Sequence, residues 1–243
     1  MLLGNGTQAI AWQINEESYR KQLEVEAGAP HEPGLKMYYG SVHDILSYPC
    51  EDGKTELVQA ASVSIHGPHG QHIENVHLVP YATEQEFWDR LYSGPYSRLL
   101  SKAGEFLEHT GASTDDVLVF IRFVQAFSIL SVAPFTKSSA HSCGFDASEH
   151  EHPSMSRHQR KVPTSFYHRF ARDARAFAGR YAQGRLISVL EGGYSDRALA
   201  SGVMAHLAGL VEDDAHPVDP SWWSLDNLVA VSPPPFSNHI SDH

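Results

Sequence analysis

The sequence predicts an α/β fold with a sheet of mainly parallel strands. Residues 117–121 and 186–190 are continuous runs of apolar or small residues, which are typical of strands buried on both faces of a parallel sheet. Apolar residues recur at helical spacing before each run, in residues 99–107 and 166–181. Strands that alternate with helices indicate an α/β architecture, in which the active site lies beyond the carboxyl ends of the strands.

The amino-terminal third contains fewer periodic segments. Residues 16–56 are mixed in character and interrupted by glycine and proline, so we expect a loop with short ordered pieces. Residues 57–65 are rich in small and β-branched residues, and they predict a buried strand that ends at His66.

A capping box predicts the first of two central helices. Thr83 and Glu86 have the spacing at which the hydroxyl and the carboxylate satisfy free N–H groups at a helix start. Gly94 and Pro95 should interrupt this helix, and Gly111 should end the run that follows.

The carboxyl-terminal part contains two further helices. Pro163 lies in the first turn of one, Gly184 ends it, and Ser195 is placed to cap the next. We assign residues 1–212 to one partial domain and residues 213–243 to a tail with several prolines, which should dock through its two tryptophans.

The charge balance disfavours several classes of partner. The chain has 18 basic and 29 acidic residues, a formal charge of -11, and no basic stripe, so neither direct nucleic-acid binding nor electrostatic docking on anionic lipid is expected. Residues 157–161 are the nearest approach to a basic cluster and predict a solvated loop. Two distant cysteines, Cys50 and Cys143, indicate a reducing compartment. Neither a signal peptide nor a membrane span is expected.

Two short motifs follow the predicted strands. Residues 144–147 read Gly-Phe-Asp-Ala, and residues 190–194 read Leu-Glu-Gly-Gly-Tyr. Taken singly, an aspartate after Gly-Phe is usually a turn residue or a helix cap. A tyrosine after two glycines is usually a packing residue. Their joint occurrence, in this order and separated by a helix and a strand, is far more specific.

Together these motifs resemble the zinc-dependent histone deacetylase family, in particular its fungal class II-like branch. The resemblance extends from residue 4 to about residue 212 and takes in residues 4–8, 64–67 and 162–166. It implies an arginase/deacetylase-like parallel sheet that is incomplete at its amino terminus. It also implies that Asp146 is a zinc ligand and that Tyr194 hydrogen-bonds the carbonyl oxygen of acetyl-lysine.

The resemblance further implies a substrate pocket and a chemistry. Zinc would acidify a bound water that attacks the acetyl group, and a phenol would stabilise the oxyanion. The expected substrate is an acetylated histone or another acetylated protein, in the nucleus or cytoplasm, with a role in chromatin regulation and transcription repression. Potassium is a second expected ion, with backbone oxygens of Ser64 and Ile65 as ligands. The implied pocket residues are Gly144, Phe145, Gly192, Gly193 and His66.

The chain departs from the family at its start. The family has an Asp-x-His-His stretch before Gly-Asn-Gly, and Leu2 and Leu3 occupy the two histidine positions. The aspartate would precede Met1, and so would the family's His-His general base. Leucine cannot bind zinc, so we expect two of three ligands to be missing and the chain to be inactive by itself.

Residues 122–142 are a second departure. In the family the strand matching residues 117–121 leads almost directly to Gly-Phe-Asp, whereas here an apolar, irregular segment intervenes. Translated intron sequence is one interpretation, and a genuine lineage-specific loop is the other. Gln159, where the family commonly has glycine, is a smaller departure.

Two alternatives to a deacetylase remain open from the sequence. The chain could be a non-catalytic binding or regulatory remnant, or a truncated gene product without a stable fold. Other metal or nucleotide sites are weaker hypotheses. Residues 4–9 fit a dinucleotide fingerprint without the strand that it requires, and Asp146 with His150 and His152 reads better as a solvated loop. The four histidines between residues 66 and 77 read as exposed loop residues near the pocket mouth.

Overall fold

The computed structural model describes residues 6–30, 32, 34–45, 53–124, 128–134, 160–191 and 196–231. Seven α-helices and six strands lie in these ranges, together with a π-helix and three short 3-10 turns. The helices are α1 (Gly6–Glu26), α2 (Thr55–Ala60), α3 (Glu84–Glu86), the π-helix (Phe87–Tyr96), α4 (Arg98–Thr110), α5 (Ser165–Tyr181), α6 (Asp196–Val211) and α7 (Leu225–Val231). The strands are β1 (Tyr38–His43), β2 (Ser64–His66), β3 (His72–His77), β4 (Val117–Val124), β5 (Ser128–Pro134) and β6 (Leu186–Glu191).

The six strands form one sheet in the order β2-β3-β1-β5-β4-β6. Strands β1, β3, β4 and β6 run in the same direction, since β1 pairs in parallel with β3, β4 pairs in parallel with β6, and β5 is antiparallel to both β1 and β4. The predicted α/β class with parallel strands is therefore confirmed, with β2 and β5 as antiparallel additions. We call the end of the sheet at which the four parallel strands have their carboxyl termini the carboxyl edge. The opposite end, where these strands begin, is the amino edge.

Helices cover the two faces of the sheet unequally. Tyr38 points into a large aromatic core with the π-helix, α4 and α5, whereas its neighbour Tyr39 points into a small core under α1. Phe166 illustrates the larger core, because its ring contacts four other aromatic rings and it is fully buried. Removing such a buried ring costs about 3–5 kcal/mol in typical cores.

The prediction of a loop over residues 16–56 was wrong, because this region contains most of α1 and all of β1. Helix α1 buries polar side chains, and the amide of Asn15 bonds both backbone groups of Met37, while Ile10 and Trp12 stay exposed. This reversed pattern hides the helix from a search for an apolar face.

The strand predicted for residues 57–65 was also wrong. Residues Thr55–Ala60 form α2, and only Ser64–His66 form a strand, which is antiparallel to β3. Small residues such as Ala60 and Ala61 are as compatible with a helix as with a strand, and tertiary contacts decided between them.

Part of the segment expected to be irregular is a strand. Residues Ser128–Pro134 form β5, which lies between β1 and β4 and pairs with both. The remainder of residues 122–142 lies partly in β4 and partly outside the described residues. The intron interpretation and the lineage-specific loop both stay predictions.

The helix signals fared better. The hydroxyl of Thr83 accepts a hydrogen bond from the Glu86 N–H at 3.1 Å, so the predicted cap is confirmed. The predicted interruption of the helix at Gly94 and Pro95 was wrong, since both residues lie inside the π-helix. Gly111 ends α4 with φ +64°, as a carboxyl-terminal glycine should.

The tail docks through one of its two tryptophans. Trp223 is buried and its ring stacks on His168 at 4.8 Å, whereas Trp222 is half exposed. The turn Pro220–Trp223 and α7 both contact α6, so residues up to 231 pack on the same body as the sheet.

Candidate functional site at the edges of the sheet

Strand β6 leads directly to the motif that the sequence singled out. Its last residue, Glu191, is the register partner of Val124 in β4, so β4 and β6 both end at the carboxyl edge. The motif that includes Gly192, Gly193 and Tyr194 begins at this point. These three residues lie outside the described residues, as do Gly144, Phe145 and Asp146. Their assigned roles therefore stay predictions.

His66 lies at the other edge. Strand β2 runs antiparallel to β3, so His66 is the partner of His72, the first residue of β3, and both lie at the amino edge. The structure does not bring His66 together with the carboxyl end of β6. The rule that active sites follow strand ends suggested His66 only because β2 was expected to run parallel to its neighbours.

At the amino edge, His66 is part of a network around a buried carboxylate. The Nε2 atom of His66 lies 2.9 Å from Glu74 Oε2, Ser64 donates to the same oxygen at 2.5 Å, and Arg98 Nε donates to Oε1 at 2.8 Å. Burial alone would raise the pKa of Glu74, but the hydrogen bonds from His66 and Ser64 and the charge of Arg98 outweigh it and lower the pKa to about 2.

A cavity of about 230 Å³ opens beside this network. Burial, together with the charges of His66 and His109, lowers the pKa of His72 to about 4, so His72 is neutral at physiological pH. In the part of the chain that the structure describes, no group of three histidine, cysteine, aspartate or glutamate side chains is arranged to hold a metal ion. The cavity is lined by His66, Gly67, His72, Lys102, Glu105, Phe106 and His109.

The four histidines between residues 66 and 77 do not converge. His72 and His77 begin and end β3 and so lie at opposite edges, and His69 contacts Tyr19 of α1 through its ring edge. The predicted potassium ligands Ser64 and Ile65 lie in β2, at the amino edge. Their binding of potassium stays a prediction.

The sequence reasoning missed a cluster at the carboxyl edge. Asp44 directly follows β1 and is buried, and Arg160 Nε donates to its Oδ1 at 2.5 Å. The neighbouring His43 is also buried, its Nδ1 lies 2.9 Å from Ser41 Oγ, and its ring lies 5.2 Å from that of His77. Burial, with a smaller effect from the charge of His77, lowers the pKa of His43 to about 3.

Arg160 corrects a further expectation. The cluster at residues 157–161 was expected to be a solvated loop, yet the Arg160 side chain is only 12% exposed. The pair spans 116 positions in the sequence, so no local spacing could have indicated it. It anchors the chain that enters α5 to the end of β1, which is close to where β4 and β6 end.

A second polar contact holds β6 itself. Ser188 Oγ lies 2.7 Å from Nε2 of His206, a buried histidine of α6 whose pKa is lowered to about 3 by burial. The neutral imidazole thus ties the strand that precedes Gly192 to the helix that follows Tyr194.

The histone deacetylase domain, as a family, matches residues 131–210. Histone deacetylase HOS3 of Saccharomyces cerevisiae is 37% identical over 219 residues, which cover 87% of this chain and 29% of HOS3. The chain is thus similar to a histone deacetylase over most of its own length. Type-2 histone deacetylase 1 of Dictyostelium discoideum is 42% identical over 73 residues, or 30% of this chain and 5% of that protein. The chain therefore matches less than a third of the length of either relative.

The deacetylase relationship confirms the resemblance found in the sequence and raises the question of zinc. Asp146 would supply one carboxylate ligand, while Leu2 and Leu3 carry no donor atoms at positions where the resemblance implies histidines. Asp146, Leu2 and Leu3 lie outside the described residues, so both the zinc site and the loss of two of its ligands stay predictions. Among the described helices, none is long and apolar enough to cross a membrane.

Proposed function

We propose that this chain is the carboxyl-terminal part of a histone deacetylase domain, with Asp146 and Tyr194 on the acetyl-lysine side of the active site. The observation that carries the proposal is the 37% identity to HOS3 across most of the chain. The parallel pairing of β4 and β6 supports it, because the chain at Gly192 then starts from the carboxyl edge, where ligands bind in open parallel sheets.

The chemistry assigned to these residues follows from their side chains. The phenol of Tyr194 would donate a hydrogen bond to the acetyl carbonyl oxygen as negative charge develops on it. Gly192 and Gly193 carry no side chains, so the substrate could approach the backbone closely. Zinc, where a complete ligand set binds it, would polarise the carbonyl and activate water, and Asp146 would be one of its ligands.

By itself, residues 1–243 should not hydrolyse acetyl-lysine. The reason lies in Leu2 and Leu3, whose alkyl side chains cannot replace imidazole ligands. The proposed substrate is an acetylated histone or another acetylated protein, and the proposed location is the nucleus or cytoplasm. Residues 1–212 would be the deacetylase part, with residues 213–231 packed on it.

A chimera tests the assignment. The polypeptide of HOS3 that precedes its region matching this chain would be joined in register, so that an Asp-x-His-His stretch directly precedes Gly4. We expect zinc-dependent release of acetate from an acetylated histone-tail peptide, while residues 1–243 alone give none. Tyr194→Phe in the chimera should lower kcat by roughly 100-fold or more, as loss of one oxyanion donor does.

Matched controls separate chemistry from folding. Tyr181→Phe removes a phenol from the surface of α5, where it donates to Glu108, and should leave turnover unchanged. A folded chimera that binds zinc without hydrolysing the peptide would contradict the proposal, as would full activity in Tyr194→Phe. Robust turnover by residues 1–243 alone would instead overturn only the statement that this chain is inactive.

A non-catalytic binding role is the second candidate, and the same leucines favour it. Residues 1–243 would then bind the acetylated peptide without cleaving it, and Tyr194→Phe would weaken that binding. Isothermal titration with acetylated and unacetylated forms of the peptide distinguishes this role from no binding at all.

A further inference from the structure

Ring side chains from three neighbouring strands meet at the amino edge, beside the cavity of about 230 Å³. His72 lies opposite His66 of β2, and Tyr38 of β1 stands beside His72, since the next residues along, Tyr39 and Ile73, are register partners. Phe106 of α4 covers this row, with its ring 6.1 Å from that of Tyr38 and 4.7 Å from that of His72. Strands and helix thus form the walls of one enclosed polar site.

The hydroxyl of Tyr38 is a donor without an acceptor. Tyr38 is fully buried, and its hydroxyl forms no hydrogen bond with any residue that the structure describes. Burial raises its pKa, so the hydroxyl keeps its proton. Its ring stacks on that of His66 at 6.5 Å and contacts Phe106, and both of these residues line the cavity. Because buried hydroxyls are normally hydrogen-bonded, an acceptor is missing on this side of the molecule.

Two imidazoles of the cavity are also free to donate. Neither His72 nor His109 forms a hydrogen bond within the described part of the chain, and a neutral imidazole always carries one N–H group. The charges that lower the pKa of His72 are all positive, and they belong to His66, His109 and Lys36. The surroundings of His72 therefore favour a negative ligand, although the whole chain has a formal charge of -11.

The carboxylates near the cavity are already matched by cations. Glu74 lies 2.5 Å from Arg98 and 2.9 Å from His66. Glu105 lines the cavity itself and pairs with Lys102 at 2.6 Å, but its side chain is 57% exposed, so it can turn to solvent. The ammonium group of Lys102 would then be available to a ligand. Lys102 and His109 are seven residues apart on α4, which places them on the same face of the helix.

We propose that the amino-edge cavity binds a small oxyanion of the phosphate type, held by the side chains of His72, His109 and Lys102, with the Tyr38 hydroxyl as a further donor. These donors come from β1, β3 and α4, so they reach the ligand from several sides, which suits a tetrahedral anion better than a planar carboxylate. The ligand is small, because the cavity of about 230 Å³ lies below the roughly 300–1,000 Å³ of sites for drug-sized molecules.

This site is separate from the proposed deacetylase chemistry. The cavity lies at the amino edge, whereas β6 leads to Gly192 at the carboxyl edge. Phosphate would therefore not occupy the place of the acetyl-lysine, and the failure of either assignment would leave the other intact. The bound group could be free phosphate or the phosphate of a small ester, since both present the same oxygens.

Isothermal titration of residues 1–243 with inorganic phosphate, at pH 7 and low ionic strength, tests the proposal. We expect saturable binding at one site. His109→Gln should weaken it by about 10-fold or more, as loss of one hydrogen bond to a charged group does. Glu105→Gln should tighten it several-fold, because Lys102 then has no competing carboxylate. His216→Gln is the matched control, at an exposed histidine on the segment after α6, and should leave the affinity unchanged.

The imidazole signals of His72 locate the bound anion independently of affinity. A negative charge beside the ring favours its protonated form, so phosphate should raise the pKa of His72 above its unliganded value of about 4. Tyr38→Phe should weaken binding while the fold is kept, since the hydroxyl has no partner in the free protein.

Several results would overturn the phosphate site. These are absence of phosphate binding, equal affinities of His109→Gln and His216→Gln, a pKa of His72 that phosphate does not move, and acetate binding as tightly as phosphate. Comparison of inorganic phosphate with glycerol phosphate distinguishes the two sources. Tighter binding of the free ion would support phosphate itself as the ligand, and tighter binding of glycerol phosphate would support a phosphate ester.

Discussion

The two edges of the sheet each hold a histidine, a carboxylate and an arginine, but these trios differ in their access to water. At the amino edge, Glu74 is buried while the side chain of Arg98 is 50% exposed, and His66 borders an open cavity. The carboxylate of Glu74 has three hydrogen-bonding partners, Ser64, His66 and Arg98, and Arg98 is half exposed to solvent. This edge can therefore lose or exchange a partner at moderate cost.

At the carboxyl edge, the corresponding trio is enclosed. Asp44 and His43 are almost fully buried, and the Arg160 side chain is 12% exposed. An enclosed ion pair cannot exchange its partner for water, so it fixes geometry more strictly than an exposed one. The trio at the carboxyl edge is therefore held more rigidly than the trio at the amino edge.

The largest expected effect comes from breaking the enclosed pair. Arg160→Ala leaves the Asp44 carboxylate buried without its cation, which costs about 3–5 kcal/mol in buried pairs of this kind. Urea unfolding at pH 7 measures the loss. Arg169→Ala is the control, since Arg169 pairs with Asp173 on the surface and should cost less than about 1 kcal/mol. Equal losses in the two variants would mean that burial does not distinguish these pairs.

Removing the charge at the amino edge should cost somewhat less and should depend on pH. The pKa of Glu74 in the folded state, about 2, lies below its ordinary value of 4.5, so the ionised carboxylate stabilises the fold above pH 4.5. That contribution is lost as the pH falls from 4.5 towards 2.

Glu74→Gln should therefore lower stability by about 3 kcal/mol at pH 7, and the difference from the natural chain should shrink as the pH approaches 2. Glu105→Gln, at an exposed carboxylate beside the same cavity, should change the free energy of unfolding by no more than about 0.5 kcal/mol, both at pH 7 and near pH 2. A loss that stays constant from pH 7 to pH 2 would show that the charge of Glu74 is not what stabilises the edge.

The enclosed histidine makes the carboxyl edge sensitive to acid in a different range. His43 has a folded-state pKa of about 3 against an ordinary 6.5, so below pH 6.5 the unfolded chain takes up a proton that the folded chain excludes. Stability should consequently fall by about 1.4 kcal/mol for each pH unit between 6.5 and 3 from this residue. His206, with a similar pKa, adds a comparable slope.

His43→Gln should remove only its own contribution to that slope, about 1.4 kcal/mol for each pH unit, because His206 and His72 keep theirs. The comparison requires unfolding curves at several pH values, since a single value cannot separate packing from protonation. An unaltered slope in His43→Gln would place the acid sensitivity elsewhere.

The contrast between the edges also marks what the sequence could predict. Strands β4 and β6 were predicted from their continuous apolar runs, but the expected burial of β6 on both faces was wrong, since β6 is the last strand in the sheet and Ile187 is 44% exposed. The capped helix at Thr83 was predicted because its cap is local. Helix α1 was missed because it buries Asn15 and exposes Trp12, which reverses the usual pattern. The direction of β2 depends on its pairing with β3, and no feature of its three residues encodes that.

The residues of the candidate site also differ in whether the sequence could identify them. Asp146 and Tyr194 were selected through family resemblance, which the identity to HOS3 supports. His66 was selected because β2 was expected to run parallel to its neighbours, and that expectation was wrong. The Asp44–Arg160 pair could not be found from spacing, because its two halves are distant in sequence and each is unremarkable alone.

The smallest expected effect is the one that completes the comparison. Arg98→Ala removes the half-exposed cation from Glu74, which keeps its hydrogen bonds from Ser64 and His66, so the loss should be about 1 kcal/mol. The loss should also shrink in 1 M salt, because the Debye length there is about 3 Å. Arg160→Ala should show no such dependence, since ions do not reach the enclosed pair. If Arg98→Ala proved as costly and as insensitive to salt as Arg160→Ala, access to solvent would not be what separates the two edges.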